Sequence, residues 1–279
     1  MRILYIVPAY NCAKTLPSIL SRLPQDATIV LDDGSDDGTE ELVKNFGINC
    51  IRHSRRLGVG AALKTGIEFG LKSRFDYGIT LDADGQHPVD KIDQYKSALR
   101  TYDFVIGNRF VEITDVPDCK LASNLCASLI VQELFSTALP DVACGFRAFK
   151  LHQSLLGIRD DGYGFLHDHL MRVLTESSTI GTVQIPCIYR YDRPLCTRRS
   201  ELQGFLAAAV AHVDPAATLD ELLNNLAQNV NETNDLRFSV GGTSFYAYYV
   251  RSLDAYVFQT NRRFASEFHS KLKLSGNVL

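Results

Sequence analysis

Two clusters of carboxylates each follow a short apolar run in the N-terminal third of the chain. The segment LDDGSDDGT (residues 31–39) comes directly after the apolar run at residues 28–30, and LDADGQHP (residues 81–88) ends a second such run. Asp and Gly are common in solvated turns, so one cluster alone would indicate only a turn. A carboxylate at a strand's carboxyl end, such as Asp33, also suits the hydroxyls of a ribose or the N–H of a base. Two clusters in such positions favour a ligand site.

The second cluster has the spacing of a metal site. Asp82 and Asp84 leave the apolar run at positions i and i+2, and Gly85 permits a turn that would let both carboxylates converge on one hard cation. Gln86 adds a neutral oxygen. A divalent ion held by one or two carboxylates, and otherwise by water and phosphate, is how proteins bind diphosphates. The pattern therefore predicts a diphosphate site with a divalent ion.

A glycine-rich segment between the clusters raises a rival interpretation. RRLGVGAAL (residues 55–63) places glycines ahead of a helical pattern, as dinucleotide-binding proteins do. That fingerprint follows the first strand and has Gly or Ala at its sixth position, which here is Leu63. The first strand instead runs into the segment PAYN (residues 8–11). A dinucleotide-dependent dehydrogenase is therefore a poor fit.

The composition is that of a globular chain in a reducing compartment. With 279 residues, of which 46% are hydrophobic, the chain can bury a full core, and its formal net charge of -3 gives no bulk attraction to nucleic acid. Seven cysteines without a C-x-x-C pair argue against a zinc site and a disulfide framework. Pro8 interrupts the start of the chain too soon for a signal peptide, and the apolar stretch 121–139 contains Asn124, Gln132 and Glu133, which are costly in a membrane. We therefore expect a cytoplasmic protein without a spanning segment.

Short β-rich runs alternate with helical patterns over the first half of the chain. The predicted strands lie at residues 3–7, 28–31, 49–52, 77–81 and 104–107, and the predicted helices begin near residues 13, 39, 61 and 90. This alternation predicts an α/β fold with a mostly parallel, Rossmann-like sheet flanked by helices. Such sheets bind ligands at the carboxyl ends of their strands, where both acidic clusters lie.

The pattern changes after about residue 205. An amphipathic helix is predicted at about residues 218–230, followed by aromatic-rich strands, the first two of which are joined by a Gly-Gly turn. We therefore divide the chain into a domain at residues 1–205 and a small C-terminal extension at residues 206–279, made of a helix and antiparallel strands. We expect the extension to cover or pack on the main domain, and a homo-oligomer formed through it is left open.

The motifs VPAYN, LDDGSDDGT, LGVGAALKTG, LDADGQHP, IGNRF, DVACGFRAF and GYGFLHDHLMRVL occur in that order between residues 7 and 174. Together they resemble the family-2 inverting glycosyltransferases, and especially the branch that includes dolichol-phosphate mannose synthases and related polyprenyl-phosphate sugar transferases. The resemblance covers about residues 3–200. It implies a GT-A fold, a UDP- or GDP-linked sugar donor, and a Mg²⁺ or Mn²⁺ ion at the diphosphate.

The resemblance also implies roles for residues at matching positions. Arg109 in IGNRF and Arg147 in GFRAF would face phosphate, since guanidinium groups offer forked donors; an internal ion pair that shapes the loop is the alternative for Arg147. Asp168 falls on the acidic position of the family's F-x-x-E helix, where it would take a proton from an acceptor hydroxyl. The metal ligands would be Asp82, Asp84 and Gln86. The donor site would contain Pro8, Tyr10, Asn11, Asp33, Gly58 and Asp82.

The acceptor is the least defined part of the resemblance. The polyprenyl branch has an Arg and a Ser ahead of its acceptor helix, where this chain offers Lys120 and Ser123. We expect a metal-dependent inverting glycosyltransferase whose acceptor is a polyprenyl phosphate at a membrane surface. Transfer to a hydroxyl of a saccharide, protein, nucleic acid or small molecule is the alternative, with nucleic acid the least expected partner. A sugar-phosphate nucleotidyltransferase and a non-catalytic nucleotide-sugar-binding or scaffold protein are further alternatives.

Overall fold

A computed structural model of the protein describes residues 1–112, 116–176, 178–188, 197–214, 218–260 and 267–268. Strands alternate with helices up to residue 184, and the sequence pattern predicts this alternation as far as about residue 107. The strands are β1 (Ile3–Ala9), β2 (Thr28–Asp32), β3 (Asn49–Arg52), β4 (Tyr77–Thr80), β5 (Phe104–Asn108), β6 (Arg147–Lys150) and β7 (Ile180–Gln184). The helices are α1 (Leu16–Leu20), α2 (Thr39–Asn45), α3 (Val59–Lys72), α4 (Ile92–Ala98), α5 (Asp118–Phe135) and α6 (Gly164–Thr175).

A seven-stranded sheet organises this part of the chain, in the order β3-β2-β1-β4-β6-β5-β7. The pairings are parallel except those of β6, which runs antiparallel to both β4 and β5. All residues of β2 and β5 are buried, as expected for a mostly parallel sheet covered by helices. The predicted fold class is therefore confirmed. The sequence analysis predicts neither β6 nor β7, which lie beyond its last predicted strand.

The strand order explains why the two acidic clusters meet. β1 lies between β2 and β4 and runs parallel to both, so the segments that follow these three strands leave the sheet side by side at one edge. The order of the strands reverses between β1 and β4, and ligands of open α/β sheets bind at such a point. The sheet therefore places PAYN, LDDGSDDGT and DADGQH around one position.

The first turn of α3 packs closely against the loop ahead of α6. Gly58 has a backbone φ of 113°, and a Cβ there would overlap the carbonyl oxygen of Asp161. A Cβ at Gly60 would lie 2.7 Å from the carbonyl oxygen of Gly162. Ala61 donates its N–H to the Asp161 carbonyl at 3.1 Å. The glycines of LGVGAALKTG therefore permit a close contact between segments far apart in the sequence, rather than a dinucleotide loop.

Two helices and a second sheet complete the described chain. The elements are β8 (Thr197–Arg198), α7 (Arg199–His212), α8 (Thr218–Asn231), β9 (Leu236–Val240), β10 (Thr243–Val250) and β11 (Ala255–Gln259). The sheet is antiparallel, in the order β8-β11-β10-β9, and Gly241 and Gly242, with φ of 54° and 70°, form the turn between β9 and β10. The predicted helix and hairpin are both present. The predicted boundary after residue 205 needs correction, because it falls inside the continuous helix α7.

The contact between α6 and α7 attaches this C-terminal part to the main sheet's helices. A Cβ at Gly204 would lie 2.7 Å from the Cα of Gly164, closer than a Cβ can approach, so the two helices touch backbone to backbone. Phe205 and Leu206 on α7 are buried beside this contact. Small residues at the crossing therefore set how near α7 comes to the cleft described below.

Gly204→Ala should lower the free energy of unfolding by about 1–3 kcal/mol, the usual cost of adding volume to a close-packed contact. The two helices would have to move apart to admit the methyl group. Gly157→Ala is the matched control, because a Cβ at Gly157 meets no atom within 4 Å. Urea unfolding of both variants measures the difference, and equal stabilities would contradict the close packing of α6 on α7.

Candidate active site

A cleft of about 1210 Å³ opens at the edge of the sheet where β1, β2 and β4 end. Of the residues singled out in the sequence, those that line it are Pro8, Tyr10, Asn11, Asp33, Gly58, Asp82, Asp84, Gln86 and Arg109. Arg147 and Asp168, although both are described, are not among the residues that line the cleft. The structure thus brings most of the predicted set together and places two of the predicted catalytic residues elsewhere.

The Asp33 carboxylate fixes the loop between β3 and α3. One oxygen accepts hydrogen bonds from the Leu57 N–H at 2.8 Å and lies 2.8 Å from Nδ1 of His53, and the other accepts from the Gly58 N–H at 2.8 Å. The residue is only 4% exposed. Asp33 therefore shapes the wall of the cleft through backbone contacts, and a ribose or base contact would come in addition to them.

Other acids of LDDGSDDGT tie the loops after β1 and β2 together. The Asp37 carboxylate accepts hydrogen bonds from the N–H of Ala13 at 2.9 Å and from the Thr39 hydroxyl at 2.5 Å. Asn11, which has a positive φ of 53°, accepts a hydrogen bond from the Asp36 N–H at 3.0 Å through its side chain. The acidic cluster therefore builds the rim on which Tyr10 and Asn11 are presented.

An exposed aromatic ring stands at the same rim. Tyr10 is 39% exposed, and the guanidinium carbon of Arg56 lies 4.3 Å from the centre of its ring. A cation over an aromatic face is attracted by the ring's quadrupole and holds both side chains in place. Arg56 lines the cleft but has no role in the sequence prediction, since only the fold brings residues 10 and 56 together.

The D-x-D segment offers oxygen ligands to the cleft. The Asp84 carboxylate accepts a hydrogen bond from the Gln86 N–H at 3.0 Å, which closes a turn, and the Asp82 side chain is 44% exposed. A Cβ at Gly145 would lie 3.4 Å from both Asp82 oxygens, so the loop at residue 145 passes close to this carboxylate. Within the described part of the chain, no three His, Cys, Asp or Glu residues are grouped as a complete metal cage. Two carboxylates and an amide oxygen fit an ion that takes its other ligands from water and phosphate.

His87 holds the first residue of this segment. Its Nδ1 accepts the N–H of Asp82 at 2.8 Å, which leaves the ring proton on Nε2, 3.5 Å from the Asp82 carboxylate. Burial lowers the pKa of His87, so the ring is neutral, and it stacks on Phe146 with ring centres 5.3 Å apart. The sequence prediction gave His87 no role, although its place three residues after the D-x-D segment, next to Gln86, is a signal that could have found it.

Arg109 lines the cleft as half of an ion pair. Its Nε and one terminal nitrogen donate to the two oxygens of Asp141 at 2.6 and 2.8 Å, and Asp141 is only 1% exposed. Forked pairing of this kind fixes a guanidinium in direction as well as position. Asp141 therefore holds the Arg109 guanidinium in a fixed position from which it can face a phosphate.

Arg147 does not face the cleft, contrary to our expectation. It is fully buried on β6, and its guanidinium donates to the carbonyl oxygens of Val142, Cys144 and Leu166, at 3.2 Å for Val142 and 2.8 Å for Cys144. Burial lowers its pKa to about 10, which still leaves it a cation at neutral pH. Arg147 therefore ties the loop beside Asp82 to α6, with its guanidinium buried outside the cleft lining. The alternative given for Arg147, an internal contact that shapes the loop, agrees better with the structure. Its partners, however, are carbonyl oxygens rather than a carboxylate.

Asp168 also lies outside the cleft lining. On α6 its Oδ1 accepts from Nε of Arg172 at 3.0 Å and lies 3.0 Å from Nε2 of His212, at the end of α7. The preceding residue, His167, lines the cleft instead. A helix turns by about 100° per residue, so neighbouring positions face different ways. The expected role of Asp168 as a base does not fit this position.

The starts of α5 and α7 bring charged residues to the other side of the cleft. Lys120 and Ser123, which stand where the polyprenyl branch has Arg and Ser, both line it, as do Arg198 and Glu201. Burial raises the pKa of Glu201, and the charges of Lys120 and Arg198 oppose that rise. No sequence pattern pointed to Glu201, because its position at the cleft depends on how α7 packs.

Comparison with known proteins identifies the family. Residues 5–156 match the family model described as glycosyl transferase family 2. The chain belongs to this family. It is 30% identical over 206 residues to undecaprenyl-phosphate mannosyltransferase of Micrococcus luteus, in an alignment that covers 68% of this chain and 85% of the relative. To polyprenol monophosphomannose synthase of Mycolicibacterium smegmatis it is 27% identical over 206 residues, covering 67% of this chain and 77% of that one.

Solved structures agree with the GT-A fold of this glycosyltransferase. Glucosyl-3-phosphoglycerate synthase of Mycobacterium tuberculosis in complex with UDP matches with a TM-score of 0.59 at 20% identity, covering 74% of this chain and 79% of that chain. Its complex with Mn²⁺, UDP and phosphoglyceric acid gives a TM-score of 0.60 at 20% identity, with 77% and 80% covered. Over the described residues, no helix has the length and apolar character to cross a membrane.

Arg147→Lys should lower the free energy of unfolding by about 3 kcal/mol, because an ammonium group cannot reach three carbonyl oxygens in the directions that a guanidinium does. Arg22→Lys is the control, since Arg22 is half exposed and its closest approach to Asp90 is 3.9 Å. It should change stability by less than about 0.5 kcal/mol. Chemical unfolding measures both. A stable Arg147→Lys protein with weakened nucleotide binding would instead support a direct phosphate contact.

Proposed function

We propose that this glycosyltransferase moves a sugar from a nucleotide-diphosphate sugar to a polyprenyl phosphate, with inversion at the anomeric carbon. The observation that carries the proposal is the cleft, whose lining contains both the D-x-D carboxylates and two cations, Lys120 on α5 and Arg198 just ahead of α7. The names of the two relatives, which refer to undecaprenyl phosphate and polyprenol monophosphomannose, support this acceptor.

The donor nucleoside fits the end of the cleft formed after β1 and β2. Tyr10 and Asn11 stand on its rim, and the Asp33 carboxylate is held rigidly in its wall by N–H donors. A rigid acceptor at a strand end can select a ribose hydroxyl or a base N–H with little loss of side-chain entropy. The UDP in the solved structures of similar fold supports a nucleoside diphosphate at this point.

The diphosphate of the donor would lie beside the D-x-D segment. Asp82, Asp84 and Gln86 would hold a Mg²⁺ or Mn²⁺ ion there, and the ion would neutralise the charge that grows on the departing nucleoside diphosphate. Mn²⁺ in a structure of similar fold supports this assignment. Arg109, fixed by Asp141, would add positive charge on the same side. Preorganised charge at the leaving group would supply most of the catalysis.

A phosphate acceptor fits the opposite side better than a hydroxyl acceptor does. A hydroxyl must lose a proton during attack and needs a base, but the predicted base Asp168 is paired with Arg172 and His212 outside the cleft lining, which leaves Glu201 as the carboxylate near Lys120 and Arg198. A phosphate oxygen is already an anion at neutral pH and needs positive charge to hold it. Lys120 and Arg198 line the cleft in a position to supply that charge. An acceptor of this kind would bring the protein to a membrane surface.

Asp84→Asn tests the function and its metal together. With undecaprenyl phosphate, Mn²⁺ and a panel of UDP- and GDP-sugars, the wild type should release nucleoside diphosphate and form a lipid-linked sugar. The variant should lose at least about tenfold in Mn²⁺-dependent donor affinity, because an amide keeps the shape of the carboxylate but not its charge. Asp93→Asn is the matched control, with a side chain that is 88% exposed. Binding of a nucleotide sugar without release of nucleoside diphosphate would favour the scaffold alternative.

Glu201→Gln and Asp168→Asn separate the two acceptor classes. With a phosphate acceptor, neither change removes a required base, so kcat should stay within about tenfold of the wild type. With a hydroxyl acceptor, loss of the base should lower kcat by about 10²–10⁴-fold while donor affinity is retained. Steady-state kinetics on undecaprenyl phosphate and on a saccharide decides between them. A large fall in kcat on undecaprenyl phosphate would contradict a mechanism without a base.

A further inference from the structure

The protein itself uses most of the hydrogen-bonding capacity of the Asp33 carboxylate. A carboxylate offers about four acceptor sites on its two oxygens and cannot donate. Oδ1 accepts the N–H of Leu57 and lies 2.8 Å from Nδ1 of His53, and Oδ2 accepts the N–H of Gly58 at 2.8 Å. These three donors are its partners within the part of the chain that the structure describes. One acceptor site, on Oδ2, is therefore left for a ligand.

Helix α3 holds the His53 ring in this orientation. Nε2 of His53 lies 3.0 Å from the hydroxyl oxygen of Thr65, and that hydroxyl lies 3.0 Å from the carbonyl oxygen of Ala61. Because a carboxylate only accepts, the ring carries a proton on Nδ1 and donates it to Asp33. The His53 side chain is 10% exposed. The ring is thus held between Asp33 and Thr65, and its Nδ1–H group stays on Oδ1.

The loop at residues 53–58 lies directly against the turn that follows Asp33. Gly34 has a backbone φ of 79°, and a Cβ there would lie 2.7 Å from the carbonyl carbon of Arg55, closer than a Cβ can approach. Asp33 is 4% exposed, although it lines the cleft. Because the loop binds both oxygens of the carboxylate, Asp33 cannot turn to present two free oxygens to a ligand.

The number of donors on a ligand decides how well it fits a single acceptor site. The edge of uracil carries one N–H, at N3, between two carbonyl groups. Guanine carries two donors side by side, the N1–H and the 2-amino group, and these match a carboxylate with both oxygens free. A ribose likewise offers two neighbouring hydroxyls. At a carboxylate that is almost fully buried, a second donor without a partner is costly. The structure therefore favours a ligand with one N–H.

We propose that Asp33 binds the N3–H of a uracil base and discriminates against guanine, so that the sugar donor is a UDP-sugar rather than a GDP-sugar. This proposal rests on the nucleotide-diphosphate sugar donor proposed above. Asp33 is the residue that determines specificity. His53 is a positioning residue, because it occupies the site on Oδ1 that the 2-amino group of guanine would need.

Four nucleotides test the selection on the wild-type protein, by calorimetry with Mn²⁺ present. UDP should bind at least about tenfold more tightly than 3-methyl-UDP, which lacks the N3–H, and than GDP. Inosine diphosphate has the purine of GDP without the 2-amino group, so it should also bind at least about tenfold more tightly than GDP. Equal affinities for UDP and GDP would overturn the proposal. Equal affinities for inosine diphosphate and GDP would overturn it too, because the size of the base would then decide.

His53→Ala tests the positioning role. The change frees an acceptor site on Oδ1, so the affinities for inosine diphosphate and GDP should come within about threefold of each other. A purely structural role would instead weaken both nucleotides alike and keep their ratio, which would overturn the role of His53. The matched control is His152→Ala, because His152 is exposed and outside the cleft lining. It should keep the wild-type ratio.

Transfer assays separate this inference from the proposed function. Sugar transfer to undecaprenyl phosphate from GDP-sugars in preference to UDP-sugars would overturn the selection of uracil and leave the proposed function standing. Selective binding of UDP without transfer from any UDP- or GDP-sugar would overturn the function and leave the selection of uracil standing.

Discussion

The buried carboxylate of Asp33 is the contact on which the rest of the site depends. It accepts hydrogen bonds from the N–H groups of Leu57 and Gly58, so the end of β2 fixes the start of α3. The start of α3 fits against the loop at residues 160–162 because Gly58 and Gly60 have no side chains. That loop leads into α6, and α6 holds α7 through a pair of glycines. Through these contacts, the Asp33 carboxylate links the position of the proposed nucleoside end of the cleft to the position of α6 and α7.

Charge changes along the cleft in the order that the proposed reaction needs. In the proposed reaction, the carboxylates of the D-x-D segment would attract a cation to the donor diphosphate, and Lys120 and Arg198, which line the same cleft, would attract an anionic acceptor. Arg147 contributes differently, since its guanidinium is buried and already donates to carbonyl oxygens, which fixes the loop beside Asp82. The buried cation that fixes a loop, Arg147, is therefore a different side chain from the cations that line the cleft, such as Lys120 and Arg198.

Local sequence signals predicted the parts of the site that depend on one strand end. Asp33 directly follows β2, and Asp82 and Asp84 lie within the first four residues after β4, so the strand ends bring all three to one edge of the sheet. Arg147 and Asp168 were misplaced because a motif gives a position but not a direction. Arg147 sits on a short strand that pairs antiparallel on both sides and turns its side chain inward, which no period in four residues could reveal.

The same limit applies to the acceptor end, where the fold adds what no motif contains. Strand β8 pairs with β11, and Arg199 at the start of α7 binds the Asp254 carboxylate at 2.7 Å, so the C-terminal sheet is tied to both sides of residue 205. A segment attached in this way is part of the domain's structure rather than a separable appendage. The family match ends at residue 156, whereas α7, α8, β9 and β11 all lie beyond it. The proposed donor residues therefore lie within the matched segment, whereas Arg198 and Glu201, which also line the cleft, lie beyond it.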